Sequence, residues 1–421
     1  METIDKNLLK ISKEAEEEIY YIFKKIDNIL EYNESKVLKA FLDCKINSSH
    51  FIETTGYAYD DIGRDALDRL YSKIFKSQSA LVRHNFVSGT HTIATALFAT
   101  LRPNDVILSV TSTPYPTIRK TIGIEKTTKK NSLIDYGIKY KEIDILKEND
   151  INTNLLIENL KKEKIKMVYI QRSKGYSIRN SVSIKNIEKI CEISHTINKE
   201  TIVFVDNCYG EFVEKKEPTE VGANLICGSL IKNPGGAVAK TGGYIAGDKN
   251  LIDLSAERLL APGLSQEMGC NLNQNKDMFF GIFISPLFVS NALKTSVFAR
   301  NIFKKLGFKV LPDPLQETSD IVSILKLNSK KALISFCEGI QKHSPIDSFL
   351  TPSPCQTPGY ENEIIMADGS FINGASLELS ADAEIKPPYN VFLQGGLTYN
   401  TSKIAILKTI EKMREEKIIS F

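Results

Sequence analysis

Two residues of opposite charge follow apolar segments in a way that suits a covalently bound cofactor. Asp206 ends the apolar run 201–206, and Lys232 lies farther along the chain in a segment rich in glycine and serine, 228–236. A lysine amine forms a Schiff base with an aldehyde, and a carboxylate keeps a pyridine nitrogen protonated so that the ring accepts electrons. The pair therefore predicts pyridoxal 5′-phosphate (PLP) bound covalently to Lys232, with Asp206 beside the ring nitrogen. We expect burial near other cations to lower the pKa of this lysine.

A turn before a predicted helix could bind the phosphate of this cofactor. Four residues lie between an apolar run and a helical pattern: Ser88, Gly89, Thr90 and His91. Backbone N–H groups at a helix start, together with a glycine and hydroxyls, form an anion site. Ser229, in the same segment as the lysine, adds a further hydroxyl. Taken alone, the turn also suits an ordinary helix cap, but beside the lysine and the aspartate we interpret it as a phosphate site.

Three further segments contain candidate site residues. Tyr115 follows the predicted strand 106–110, where it could stack on the cofactor ring and relay a proton. Tyr57 and Arg64 belong to a loop dense in aromatic and charged residues, which could complete the active site of a neighbouring subunit or could simply be a structural loop. Arg172 follows another predicted strand and is a candidate for binding a substrate carboxylate.

Composition excludes several other classes of function. The 421 residues include 54 Lys+Arg and 51 Asp+Glu, a near balance that gives no reason to expect nucleic acid or a membrane surface as a partner. The seven cysteines are scattered and form no Cys-x-x-Cys pair, so we expect no disulfide framework, no metal site and a reducing cytoplasm. We therefore expect a small molecule as the partner.

The order of apolar and helical patterns predicts an α/β fold. Continuous apolar runs of strand length alternate with helical patterns, which indicates a mainly parallel sheet covered on both faces. These runs are 80–87, 106–110, 167–170, 202–205 and 223–226. We expect the apolar stretch 278–293 to be broken at Pro286, before a long helix over 290–306. The predicted domains are an N-terminal helical segment with the inter-subunit loop (1–75), a large cofactor domain (76–300) and a small α+β domain (301–421).

The motifs together resemble those of a known family. The order of anion-binding helix start, tyrosine, aspartate and Ser-x-x-Lys resembles the fold type I PLP-dependent enzymes. More narrowly, the chain is similar to the cystathionine β-lyase-like proteins labelled aluminium-resistance proteins. The segments that carry this resemblance are 56–64, 87–91, 171–177, 205–212, 228–236, 261–269, 344–349, 374–382 and 393–399.

The resemblance implies an activity and an assembly. It implies β- or γ-elimination of a sulfur-containing amino acid, as in cystathionine β-lyase and methionine γ-lyase, with Lys232 abstracting the α-proton. It also implies a homotetramer of two-domain subunits with active sites at dimer interfaces. By position, Asp206 pairs with the ring nitrogen, Tyr115 stacks on the ring, and Gly89, Thr90 and Ser229 bind phosphate.

One difference from the better-known members of this class leaves the identity of the substrate undecided. The better-known carbon–sulfur lyases bind the substrate carboxylate with an arginine of the C-terminal domain, yet this chain has no arginine between Arg300 and Arg414. Arg172, Lys386 or a neighbour's Arg64 could replace it, or the substrate could differ. Two alternatives therefore stay open: other PLP chemistry, such as that of an aminotransferase or a threonine aldolase, and a PLP-fold regulatory or metal-stress protein with little catalysis.

Overall fold

The computed structural model describes residues 4–57, 61–125, 130–147, 150–356, 362–374 and 377–420. The helices in these ranges are α1 (Lys6–Asp43), α2 (Ile62–Ile74), α3 (Gly89–Thr100), α4 (Pro116–Ile122), α5 (Thr153–Lys162), α6 (Ile184–Ile197), α7 (Lys249–Leu259), α8 (Asn275–Lys305), α9 (Lys330–Lys342) and α10 (Tyr399–Glu415). The strands are β1 (Ser79–Arg83), β2 (Val106–Ser109), β3 (Lys139–Glu142), β4 (Met167–Gln171), β5 (Ile202–Asp206), β6 (Leu225–Ser229), β7 (Gly243–Gly247), β8 (Lys309–Leu311), β9 (Ser323–Lys326), β10 (Ile364–Asp368), β11 (Ser380–Glu384) and β12 (Asn390–Gln394).

The larger sheet has seven strands in the order β1-β7-β6-β5-β4-β2-β3. The five strands from β6 to β3 in this order run parallel, whereas β7 is antiparallel to both β6 and β1. Strands β4, β5, β6 and β7 are buried along their whole length, as expected for a sheet covered on both faces. This confirms the expectation of a mainly parallel mixed sheet. The last predicted run, 223–226, corresponds to β6, which begins and ends slightly later.

The C-terminal part forms a second, antiparallel sheet in the order β10-β11-β12-β9-β8. Helices α9 and α10 pack against each other, and α9 also packs on β10 and β11. The expected smaller α+β unit is therefore present. The domain boundaries at 75/76 and 300/301 stay a prediction.

Helix α8 corrects the expected break at Pro286. The helix runs without interruption from Asn275 to Lys305, with Pro286 inside it. Packing explains this, since residues on most of its surface are buried and Pro286 is among them. The helix is long and apolar enough to cross a membrane, yet 67 % of its most apolar window is buried within the protein. We therefore interpret α8 as a core helix.

Helix α1 packs along α8 and ties the N-terminus to the core. Its apolar residues recur at three-, four- and seven-residue intervals, and their buried face lies against α8. Polar contacts fix the position: Asn301 donates to the carbonyl of Ala15 at 2.9 Å. Asn33, fully buried on α1, donates to the carbonyl of Phe212 at 3.0 Å. The second contact holds the segment that follows β5.

The loop after Lys232 rests directly on α8. Gly236 has a φ of +56°, a backbone conformation that favours glycine. A Cβ on Gly281 of α8 would lie 2.3 Å from the carbonyl oxygen of Gly235, and a Cβ on Gly236 would lie 2.4 Å from the carbonyl oxygen of Gly281. The Ser285 hydroxyl donates to the carbonyl of Asn233 in the same loop. The core helix therefore determines where this loop lies.

Replacing Gly281 by alanine should destabilise the protein. The added Cβ would collide with the Gly235 carbonyl, so we expect the free energy of unfolding to fall by about 1–3 kcal/mol, the usual cost of overpacking. Urea unfolding measures this. Lys276→Ala, an exposed change on the same helix, is the control and should stay within about 0.5 kcal/mol of wild type. Equal stability of Gly281→Ala and wild type would contradict the close contact.

Candidate active site

Neighbouring parallel strands bring Asp206 and Lys232 to one edge of the sheet. Asp206 is the last residue of β5, and Lys232 follows the end of β6. The Asp206 side chain is buried, and its Oδ1 accepts a hydrogen bond from the Cys208 backbone N–H at 3.2 Å. Burial raises the pKa of Asp206, while the hydrogen bonds from Cys208 and the charge of Lys232 lower it in part. A further cation facing this carboxylate would therefore be stabilised.

Tyr209 is the hydrogen-bond partner of Lys232. The Lys232 ammonium donates to the Tyr209 hydroxyl at 2.6 Å, and its nitrogen lies 4.0 Å from the centre of the same ring. Burial lowers the pKa of Lys232, but Tyr209, Cys208 and Asp206 raise it by more, so that the pKa lies above its ordinary value. The expected lowering by neighbouring cations is wrong, because the groups around the amine are acids and phenols.

The start of α3 lies against the end of β6. A Cβ on Gly89 would lie 3.3 Å from Ser229 Cβ and 3.6 Å from Cys208 Sγ. Thr90 Oγ1 lies 2.6 Å from Thr117 Oγ1. The Ser229 hydroxyl is buried and has no hydrogen-bond partner in the described part of the chain. The first N–H groups of a helix also lack partners within the helix, so an anion fits here.

Two residues of the predicted phosphate turn are engaged within the turn itself. Ser88 is the N-cap of α3, and its hydroxyl accepts from the His91 backbone N–H at 3.1 Å. The His91 Nδ1 accepts from the Val87 backbone N–H at 3.3 Å, and the ring packs edge-on against Phe86. These contacts hold the backbone of the turn in place.

Tyr115 stacks on another aromatic ring in this structure. Its backbone N–H donates to Gln171 Oε1 at 2.6 Å, and its ring stacks on Tyr176 with centroids 5.7 Å apart. Both tyrosines line a cavity of about 190 Å³ that also contains Arg119 and Lys386. The cavity lies between the strand ends of the large sheet and β11 of the small sheet. The role of Tyr115 at a cofactor ring stays a prediction.

Arg172 does not face the site, and its prediction as a substrate ligand is wrong. The side chain is fully buried, and its guanidinium donates to Asn207 Oδ1 at 2.7 Å and to Glu214 Oε1 at 3.1 Å. A second buried carboxylate, Glu217, lies 3.6 Å away. These tertiary partners hold the guanidinium behind β5, so it is not available to a ligand.

The loop predicted to reach a neighbouring subunit is described only in part, since residues 58–60 lie outside the described ranges. Tyr57 is on the surface with 72 % of its side chain exposed. Arg64 is buried at the start of α2; its Nε donates to Asp65 at 3.0 Å, and its Nη1 has no partner within the described residues. Participation of these residues in a neighbour's site stays a prediction.

Sequence reasoning missed two residues near the lysine. Tyr209 has a φ of +69°, an uncommon conformation outside glycine that turns its ring toward Lys232. Its place shortly after Asp206 is the only signal that the sequence offers. Asp382, on β11, lies far along the chain, and its approach depends on how the two sheets pack. No local pattern identifies it.

Comparisons with known proteins identify the family. The family model described as methionine gamma-lyase matches residues 8–414. The chain belongs to this family. It is 42% identical over 412 residues to the uncharacterized protein YnbB of Bacillus subtilis, with 98% of each chain covered.

Solved structures give the fold. A crystal structure described as a carbon-sulfur lyase involved in aluminum resistance, from Clostridium novyi NT, superimposes with a TM-score of 0.93 at 44% identity and covers 97% of this chain and 96% of that one. The pyridoxal-5'-phosphate dependent protein YhfS of Escherichia coli matches with a TM-score of 0.62 at 16% identity, covering 92% and 97%. The fold is that of the fold type I PLP-dependent enzymes, as the motifs predicted.

PLP, the cofactor implied for this methionine gamma-lyase family member, fits the residues present. The orphaned Ser229 hydroxyl and the missing side chain of Gly89, where a Cβ would lie 3.3 Å from Ser229 Cβ, suit a phosphate at the start of α3. The raised pKa of Asp206 suits a protonated ring nitrogen as its partner. Lys232 would form the covalent bond, and Tyr209 holds its amine in position.

A buried acidic group lies behind this site. Glu211 is fully buried, its Oε1 accepts from the Tyr244 hydroxyl at 2.9 Å, and its Oε2 has no partner in the described residues. Burial raises the pKa of Glu211 to about 8. Gly228, just before Ser229, has no room for a side chain because Glu211 and Tyr244 fill the space. A neutral Glu211 therefore supports the strand that leads to the lysine.

Replacing Glu211 by glutamine should change the dependence of stability on pH. Between about pH 5 and 8 the folded protein keeps a proton that the unfolded chain releases, so this group makes stability fall as pH rises. Glu211→Gln removes that loss, and its unfolding temperature relative to wild type should rise from pH 5 to pH 8. Thermal unfolding at several pH values measures this.

The matched control for this prediction is Glu14→Gln, an exposed change on α1. Its difference from wild type should be independent of pH over the same range. If the unfolding temperature of Glu211→Gln also differed from that of wild type by the same amount at every pH, Glu211 would be ionised in the folded protein.

Proposed function

We propose that this protein is a PLP-dependent carbon–sulfur lyase that acts on a sulfur-containing amino acid by β- or γ-elimination. The observation that carries the proposal is the juxtaposition of Lys232, Asp206 and the close approach of Ser229 to Gly89, at adjoining ends of β5, β6 and α3. Membership of the methionine gamma-lyase family supports it, as does the description of the Clostridium novyi relative as a carbon-sulfur lyase.

The residues of the chain have distinct tasks in this proposal. PLP, when bound, supplies an electron sink for the bonds at the substrate's α-carbon. Asp206 holds the ring nitrogen in its protonated form. Lys232, displaced by the substrate amine, accepts the α-proton at Nζ, and the Tyr209 hydroxyl 2.6 Å away keeps that nitrogen aligned. Tyr115 or Lys232 then donates the proton that the leaving thiolate needs.

We also propose an assembly of dimers into a homotetramer that shares active sites. Exposed apolar residues support this, because α8 and the end of α1 present a common patch. Phe280 and Phe283 are 53 % and 45 % exposed on one side of α8, and Leu42 on α1 is 68 % exposed. Phe41 contacts Phe283 with ring centres 5.5 Å apart, which joins the two parts of the patch. Such a patch is typical of a subunit interface.

Chemical trapping tests the identity of the lysine. Protein reconstituted with PLP should show a visible absorbance band that borohydride abolishes, and peptide mass analysis should find the reduced adduct on Lys232. Lys232→Ala should bind PLP without this adduct and should have no measurable turnover. Lys240→Ala, a nearby exposed lysine, is the control and should behave as wild type. An adduct on another lysine, or full activity of Lys232→Ala, would overturn the assignment.

Asp206→Asn tests the carboxylate separately. Removing one partner of a buried charge pair typically costs roughly 3–5 kcal/mol, so we expect turnover to fall by about 100-fold or more while the borohydride adduct on Lys232 still forms. Steady-state assays that measure thiol, ammonia and keto acid give the rate and the reaction type together. Transfer of the amino group to an added keto acid would instead indicate an aminotransferase.

A further inference from the structure

A carboxylate from the small sheet lies beside the stacked rings of Tyr115 and Tyr176. Asp382 is on β11, and its Oδ2 accepts from the Tyr176 hydroxyl at 3.4 Å. Burial raises the pKa of Asp382 to about 6, Asp368 adds to this effect, and Lys232 opposes it. The group is therefore mostly ionised at neutral pH. Among the described residues, no lysine or arginine forms an ion pair with it.

Aromatic residues lie beside this carboxylate. Asp382 is paired with Phe392 in the register of β11 and β12, so that their side chains share one face. The Phe392 ring contacts Tyr176 edge-on with centres 5.1 Å apart. Tyr176 and Tyr209 both pack against the apolar cluster that contains Phe392. A carboxylate among aromatic rings attracts cations through its charge and through the ring faces.

The cations on the wall of the adjacent cavity already have acidic partners. Lys386 is ion-paired with Glu384, and Arg119 lies 3.4 Å from Glu125. Both cations line the 190 Å³ cavity beside Tyr176, where they could exchange these half-exposed partners for a substrate carboxylate. An anionic group placed next to Asp382, by contrast, would meet a second negative charge in a half-buried position.

We propose that Asp382 and the aromatic rings beside it select substrates whose sulfur substituent ends in a cationic group. The substrate class is a cysteine or homocysteine thioether with a terminal ammonium. The thioether part of this statement rests on the proposed lyase function, whereas recognition of the distal cation does not. Asp382 is a specificity residue here, since it neither carries the cofactor nor moves the α-proton.

Amino acids that cannot undergo elimination test the recognition step alone. L-lysine, L-norleucine and L-2-aminoadipate have side chains of similar length that end in a cation, a methyl group and an anion. Calorimetric titration of the PLP-loaded protein should give tighter binding of L-lysine than of L-norleucine by about 10- to 100-fold, the range for a hydrogen bond to a charged group. L-2-aminoadipate should bind most weakly. Equal affinities for all three in the wild type would overturn the proposal without any variant.

A variant pair separates Asp382 from its surroundings. Asp382→Asn should abolish the preference for L-lysine over L-norleucine and leave the affinity for L-norleucine within about three-fold. Glu415→Gln, an exposed change on α10 that also removes one carboxylate, should retain the preference. Loss of the preference in both variants, or in neither, would overturn the role of Asp382. Thermal unfolding of each variant checks that it is folded.

Turnover distinguishes this proposal from the lyase assignment. S-(2-aminoethyl)-L-cysteine should be eliminated with a higher kcat/KM than S-propyl-L-cysteine, its neutral counterpart of the same length. If L-lysine binds selectively but neither thioether is eliminated, the lyase function fails and the cation site stands. If both thioethers are eliminated at equal kcat/KM and Asp382→Asn changes neither value, the lyase function stands and the cation site fails.

Discussion

The arrangement of the site depends on one buried charge, the carboxylate of Asp206. A carboxylate at the inner end of a parallel strand loses its hydration, and its raised pKa reflects that cost. The protein offsets the cost only in part, with the backbone N–H of Cys208 and with the charge of Lys232. A protonated ring between these two residues would supply the missing positive charge. The fold thus leaves a buried negative charge only partly compensated, and a pyridinium ring would compensate it further.

Two long helices, α1 and α8, hold this charge and the lysine in place. The glycine contact between Gly235 and Gly281 sets the lysine loop on α8, and Asn33 of α1 fixes the segment after β5. Helix α1 packs along α8 in turn. The two segments that flank the site are therefore both anchored to one pair of long helices, and rigid anchoring of this kind is what precise placement of reacting groups requires.

Much of this arrangement could be predicted from the sequence because the relevant signals are local. A strand that ends in Asp206, a glycine-rich segment with Lys232 and a capped helix start at Ser88 each leave a short pattern. Other features depend on contacts between distant segments. Arg172 follows a strand, a position that predicts a side chain facing a ligand, but partners from a later loop bury it. Helix α8 continues through Pro286 because packing outweighs the missing hydrogen bond. The raised pKa of Lys232 depends on its neighbours in the folded protein, chiefly Tyr209 and Cys208, and no sequence pattern specified them.

The C-terminal part of the chain lacks the arginine that binds the substrate carboxylate in the better-known carbon–sulfur lyases. A physical reason explains why this difference concerns the substrate and not the cofactor. Chemistry at the α-carbon needs only the groups at the ends of β5 and β6, which explains why the motifs for it are easily recognised. Discrimination between substrates needs groups that meet the rest of the substrate molecule, and Asp382 on β11 is the group that we propose for this task. An acidic residue on this strand, in place of a basic one, would reverse the charge that is preferred in the ligand and would leave the cofactor chemistry unchanged. Family membership therefore constrains the reaction more tightly than the substrate.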